Sequence, residues 1–157
     1  MSRFFGLWLF GLSGCGKTYI SKILNSKKKN SIIVDGDQVR KLVSFDLGYD
    51  IKSRETQILR MYGISKIIIN SGFFPIISTV YFNSKLQRLC NKSKILPIFV
   101  ERENIEKIIS RHKTYQNNKN VVGKDLKYPN IKTLKIINNN KKNFILKDKL
   151  LKKFDII

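Results

Sequence analysis

The apolar run Phe4–Phe10 leads without a break into Gly11-Leu12-Ser13-Gly14-Cys15-Gly16-Lys17-Thr18, which satisfies the pattern G-x-x-x-x-G-K-[ST] at every position. The pattern needs a strand that enters the loop and a helix that leaves it. Three glycines let the backbone turn successive N–H groups toward an anion, and the following helix adds its positive N-terminal end. Gly11, Ser13, Gly14, Cys15, Gly16, Lys17 and Thr18 are therefore expected to wrap the phosphates of a nucleotide. Lys17 would reach the β- and γ-phosphates, and the Thr18 hydroxyl would hold Mg²⁺. Cys15 reads either as a thiol activated by the helix end or, more simply, as a small residue that fits the loop. Cys90 reads as packing. Together with Arg3, the same stretch has the shape of a bacterial lipoprotein signal, a reading that leaves Gly16-Lys17-Thr18 without a role.

Beyond the loop, short apolar runs alternate with helical patterns. Phe4–Phe10, Ser31–Asp35, Phe74–Thr79 and Ile95–Val100 read as strands buried on both faces, because they are apolar without alternation. Thr133–Ile137 is a weaker fifth. Helices are expected at Lys17–Leu24, Gln38–Val43, Ser53–Asn70, Ser84–Asn91 and Glu103–Lys113. Strand and helix in alternation imply parallel pairing through right-handed crossovers. The expectation is an α/β chain with the three-layer P-loop NTPase fold, a mostly parallel five-stranded sheet and a short lid. Lys113–Asn130 breaks the rhythm: it is polar and Asn/Lys-rich, and reads as a lid over the site or as plain surface loop. Leu146, Leu150, Leu151 and Phe154 are spaced as a terminal helix that packs on the sheet.

The 157 residues give room for a single domain, 1–157, and 42% hydrophobic with 11% aromatic residues exclude a disordered tail. The 31 Lys+Arg against 11 Asp+Glu leave a charge of +20, which favours anionic partners. The wealth of Lys, Asn and Ile reads equally well as A/T-rich coding that spreads lysines over solvated faces. Two cysteines make no disulfide scaffold and point to a reducing, cytoplasmic setting. The longest apolar run, Phe4–Leu12, is shorter than the ~20 residues a bilayer span requires, so no membrane partner is expected. With His112 alone there is no metal cluster, and Mg²⁺ would arrive with the nucleotide.

A phosphate loop does not separate kinases from GTPases or motor ATPases. Neither an Asn-Lys-x-Asp guanine motif nor an Asp-x-x-Gly switch is found. The second strand instead ends in Asp35-Gly36-Asp37, followed by Gln38-Val39-Arg40. A carboxylate at Asp35 can join the magnesium shell, and one at Asp37 can take or orient the proton of a substrate hydroxyl. The bland alternative is an Asp-Gly turn with a helix N-cap at Asp37.

Read with Gly11–Thr18, the segments Asp-Gly-Asp-Gln-Val-Arg at 35–40, Asp-Leu-Gly-Tyr at 46–49 and Arg54-Glu55 resemble the adenylylsulfate (APS) kinase family. Weaker matches lie around Tyr115 and from Gly123 to Pro129. The resemblance implies transfer of the γ-phosphoryl group of ATP to the 3′-hydroxyl of a nucleotide's ribose, with Lys17 and Asp37 catalytic and Thr18 and Asp35 at the metal. It implies that Arg40 and Arg54 hold the acceptor's anionic group and that Tyr49, usually Phe in the family, stacks on its base. Arg111, Lys113 and Tyr115 would belong to a lid near ATP.

Departures from the family pattern fall on the acceptor side. Gln57 stands where the family has Asn, and Leu59-Arg60 where it has two arginines. Ser78-Thr79-Val80-Tyr81-Phe82-Asn83 replaces Ser-Phe-Ile-Ser-Pro-Tyr, which puts Val80 and the Tyr81 phenol against the acceptor. The pattern is similar to a branch of the family that phosphorylates cytidine diphosphoramidate for capsule phosphoramidate synthesis. That acceptor is the expectation, with APS kinase as the alternative and a basic nucleic-acid-binding module as the alternative of another class. ATP and a nucleotide acceptor are the expected partners; nucleic acid is not, and a homodimer is left open.

Overall fold

The computed structural model describes residues 4–117, 119–126 and 131–138. Five strands alternate with helices in this order: β1 (Gly6–Phe10), α1 (Lys17–Lys27), β2 (Ser31–Asp35), α2 (Gly36–Leu42), α3 (Ile51–Asn70), β3 (Phe74–Thr79), α4 (Ser84–Lys92), β4 (Ile95–Arg102), α5 (Ile105–Ile109), α6 (Lys113–Asn117) and β5 (Leu134–Asn138). Every strand pair is parallel, and the spatial order is β2-β3-β1-β4-β5. All five expected strands are present, and the sheet is wholly parallel.

Period-two alternation sends the side chains of β1 to two separate cores. Leu7 and Leu9 join Ile20 and Leu24 of α1 on one face, with Ile76, Ile98 and Val100. Trp8 and Phe10 face the other way, among Val39, Ile58, Met61, Phe82, Leu86 and Cys90 from α2, α3, the β3–α4 loop and α4. Helices therefore cover both faces, giving three layers. The buried Trp8 indole N–H donates to the Thr79 hydroxyl across 2.8 Å, so this large ring is buried without stranding its donor.

Burial of the edge strands differs from expectation. β2 and β5 lie at the two edges of the sheet, and Ile32 and Ile137 are exposed. The apolar run of β2 reads as a strand buried on both faces, whereas β5 was expected only as a weaker fifth; an edge strand is covered from fewer directions. Pro97 sits inside β4 opposite Trp8 of β1, and its carbonyl accepts from the Thr133 hydroxyl across 2.6 Å on the β5 side, so its missing N–H faces the side where the ladder begins only at Ile98.

Two helices differ as well. The helix expected over 103–113 is shortened to α5, and α6 begins only where it was expected to end, because the N–H groups of both Arg111 and His112 turn back to the Ile108 carbonyl. The stretch expected to be structureless contains α6, the bridge Val122↔Leu126 and the buried pair Val121 and Val122. The helix expected over 146–154 lies outside the described residues.

Candidate active site

In an open parallel sheet the crevice forms at the carboxyl ends of adjacent strands whose connections leave toward opposite faces. Here those strands are β1, followed by α1, and β3, followed by α4. The loop 11–16 fills that position, and the Gly11 N–H donates to the Thr79 carbonyl across 3.3 Å. Gly14 and Gly16 have φ of 82° and 96°, in the left-handed region that side chains disfavour, and Gly16 caps α1. Cys15 is buried, as a small residue that fits the loop would be.

Lys17, the first residue of α1, folds back over this loop. Its ammonium donates to the Gly11 and Leu12 carbonyls across 2.8 and 2.9 Å and lies 3.7 Å from the Cys15 sulfur. Burial lowers its pKa, and the nearby Cys15, Asp37 and Asp35 pull the other way.

Asp35 ends β2 and is the junction of the site. Its Oδ1 accepts from the N–H groups of Asp37 and Gln38, capping α2. Its Oδ2 accepts from the Thr18 hydroxyl at 3.2 Å and the Ser78 hydroxyl at 3.0 Å. The N-cap is therefore Asp35, not Asp37, which leaves the Asp37 carboxylate in the first turn of α2 facing a cavity.

That cavity, about 660 Å³, is lined among others by Ser13, Gly14, Gly16, Lys17, Thr18, Asp35, Asp37, Arg40, Tyr49, Arg54, Gln57, Val80 and Tyr81. One continuous space thus brings together most of the residues singled out from sequence. The guanidinium carbons of Arg40 and Arg54 lie 4.6 and 5.6 Å from the centre of the Tyr49 ring. Arg40 also donates to the Leu47 and Gly48 carbonyls, and Arg54 to the carbonyls of Tyr49 and Asn120. Gln57 is buried and donates to the Gly36 carbonyl across 2.8 Å, while its Oε1 meets no donor among the described residues. Arg111 and Lys113 are exposed and lie outside the lining; their neighbours His112 and Thr114 turn inward instead.

Ser78 and His112 line the cavity without having been assigned to it, and Lys119–Val122, part of the stretch expected as a lid or a surface loop, lines it as well. The available signal was Val121-Val122, an apolar pair in an otherwise polar stretch. Arg102 and Asn138, which contact the phosphate loop, were missed because they lie about 90 and 120 residues away in sequence.

A parallel sheet of this order, with a G-x-x-x-x-G-K-T loop between its first strand and first helix, defines a P-loop nucleotide-binding protein. The sequence model of the adenylylsulphate kinase family matches residues 3–114, and the chain belongs to that family. It is 32% identical over 99 residues to the adenylyl-sulfate kinase of Pseudomonas aeruginosa, covering 60% of this chain and 50% of the relative. To the adenylyl-sulfate kinase of Buchnera aphidicola it is 32% identical over 103 residues, covering 60% of this chain and 49% of the relative. The chain thus matches about half the length of these curated relatives. The fold is similar to the Mycobacterium tuberculosis APS kinase solved with AMPPNP and APS, with a TM-score of 0.79 at 16% identity, over 99% of this chain and 98% of that one. A hexameric APS kinase from Thiobacillus denitrificans gives a TM-score of 0.63 at 18% identity, over 98% of this chain and 29% of that one.

Proposed function

We propose that this chain is an ATP-dependent phosphotransferase acting on the ribose 3′-hydroxyl of a nucleotide, with adenylylsulfate the acceptor that its family membership favours. One observation carries the reading: Lys17 and Thr18 share a single cavity with Asp37, Arg40, Tyr49 and Arg54. Phosphate-binding groups and a carboxylate beside cationic and aromatic side chains are what transfer between two nucleotides requires.

Phosphoryl transfer has a loose transition state, so positioning and charge neutralisation do most of the work. The N–H groups of the loop would hold the phosphate chain, and Lys17 would leave the Gly11 and Leu12 carbonyls to neutralise the γ-phosphoryl group. Asp37 would accept the 3′-hydroxyl proton as that oxygen bonds to the γ-phosphorus and the bond to the β-phosphate oxygen breaks, leaving ADP. Arg40 and Arg54 would hold the acceptor's anionic group, Tyr49 its base, and the Gln57 Oε1 would accept a hydrogen bond from it. The oxygen donors around Asp35, the Thr18 hydroxyl among them, suit a hard cation. Thr18 and Asp35 would hold Mg²⁺, which when bound neutralises phosphate charge.

Calorimetric titration with Mg-ATP, followed by a turnover assay with adenylylsulfate, tests the reading. No uptake of nucleotide by the folded protein would end it. Steeply salt-dependent binding of DNA or RNA in its place would favour a basic nucleic-acid-binding module.

Tyr81 supports a second reading of the acceptor. Its half-buried phenol lines the cavity where the family carries a small hydroxyl residue. A narrower wall suits a pyrimidine better than a purine, which favours cytidine diphosphoramidate. Faster turnover of adenylylsulfate than of the cytidine compound would eliminate this second reading.

A further inference from the structure

A loop that turns its N–H groups toward a ligand turns carbonyls away from it, and those carbonyls need partners of their own. In this chain three successive carbonyls of the phosphate loop are each held by a different element. The Tyr115 hydroxyl, in α6, donates to the Ser13 carbonyl across 3.1 Å. Arg102 Nη1, at the end of β4, donates to the Gly14 carbonyl across 2.7 Å. Asn138 Nδ2, at the end of β5, donates to the Cys15 carbonyl across 2.9 Å. Tyr115 and Asn138 are 3% and 7% exposed, so water competes little for either bond.

We propose that Tyr115, Arg102 and Asn138 are positioning residues that fix the phosphate loop in its anion-binding shape before nucleotide arrives. The proposal rests on the reading of this loop as the ATP site. Two physical effects follow from the three contacts. Each carbonyl that accepts a hydrogen bond polarises its own peptide unit and strengthens the N–H donor on it; the donor strengthened by the charged Arg102 is the Cys15 N–H, which closes the loop's turn onto the Leu12 carbonyl across 3.2 Å. The contacts also remove freedom from the left-handed turns at Gly14 and Gly16, so less ordering remains to be done on binding. Asn138 adds a steric constraint, because its amide occupies the space that a Cβ at Gly16 would need. The loop is thus framed by the ends of β4 and β5 and by α6, elements that follow it in the chain by 85 residues or more.

Tyr115→Phe removes one oxygen and leaves the ring packing in place; Asn138→Ala removes the amide. Each is expected to weaken Mg-ATP and inorganic pyrophosphate binding about fivefold, with the KM for the acceptor unchanged within about twofold and the melting temperature of Tyr115→Phe close to that of the parent. Pyrophosphate carries no base, so its loss localises the effect to the loop. Unchanged Mg-ATP and pyrophosphate affinity in Tyr115→Phe would overturn the proposal, as would an equal loss in acceptor KM. If Asn138→Ala does not fold, Tyr115→Phe alone decides. Absence of Mg-ATP binding in the parent protein would instead overturn the assignment of the ATP site.

Discussion

The Thr18 hydroxyl donates to Oδ2 of Asp35 across 3.2 Å, so the first turn of α1 is tied to the end of β2, a strand that lies beyond β3 from its own. The same oxygen accepts from Ser78 at the end of β3, and the other carboxylate oxygen caps α2. One side chain thus sets the distance between the phosphate loop and the helix that carries Asp37 and Arg40.

Asp35→Asn should therefore impair the metal more than the fold. Turnover is expected to fall about 100-fold, and more Mg²⁺ should be needed for half-maximal rate. Asp35→Ala should in addition cost about 1 kcal/mol of stability through loss of the cap. Magnesium titration of each variant's rate checks this, and an unshifted titration for Asp35→Asn would take Asp35 out of the metal's shell.

Lys17 separates activity from stability. Its ammonium is buried against carbonyls, and burial holds its pKa below the ordinary 10.5. In the window from that lowered value up to 10.5 the unfolded chain binds more protons than the folded one, so the penalty shrinks as pH rises. Lys17→Met should abolish turnover yet unfold no more easily than the parent near neutral pH. The parent should gain on the variant as pH rises toward about 10. Denaturant titrations of both proteins at the two pH values measure the difference.

Asp37 faces the cavity from the first turn of α2, free of the capping role that falls to Asp35. Asp37→Asn is expected to lose about 100-fold or more in kcat, the range for a positioned general base, while Mg-ATP affinity stays close to the parent's. Steady-state kinetics with calorimetry separates the two quantities. Near-normal kcat would mean that another group takes the proton.

Gly123 lies against Leu12 of the phosphate loop from a distant part of the sequence. Its φ is +90°, and an added Cβ would lie 2.5 Å from a methyl carbon of Leu12. Gly123→Ala should cost about 1–2 kcal/mol and raise the KM for ATP, because Leu12 or the 119–126 segment must move. Thermal unfolding together with ATP kinetics would show it; a change in acceptor KM alone would contradict the contact.

What could be read in the sequence and what could not divide along physical lines. The strand, loop and helix at 6–27 were legible because their signals are local: an apolar run, glycines where φ is positive, and a helix that begins at Lys17. Asp35, Asp37 and Arg40 were legible for the same reason. The capping role of Asp35 was not, since an Asp-Gly-Asp run offers two carboxylates and only the fold shows which one turns back on the helix. The outward placement of Arg111 and Lys113 depends on the break between α5 and α6, where helical periodicity gives no warning. Arg102 and Asn138 were invisible, because contacts with residues 14 and 15 are made by the sheet, not by any spacing along the chain.

Tyr81 carries the last prediction. Burial raises its phenol pKa, with the charge and hydrogen bonding of Glu55 adding to the shift and Asn83 and Arg54 opposing it, so it remains a neutral, bulky group across the working pH range. It follows β3, and below it Phe82 stacks on Phe10 with ring centres 4.2 Å apart, so the wall has little room to yield. A rigid wall discriminates by size, and one displaced ring is worth about tenfold or more in relative kcat/KM. Tyr81→Ser should therefore shift selectivity toward adenylylsulfate, over cytidine diphosphoramidate, by at least that factor. Competition between the two acceptors in one reaction, followed by product analysis, measures the ratio directly. If the ratio is the same in parent and variant, the acceptor's base does not rest against Tyr81, and the size of this wall is no guide to the substrate.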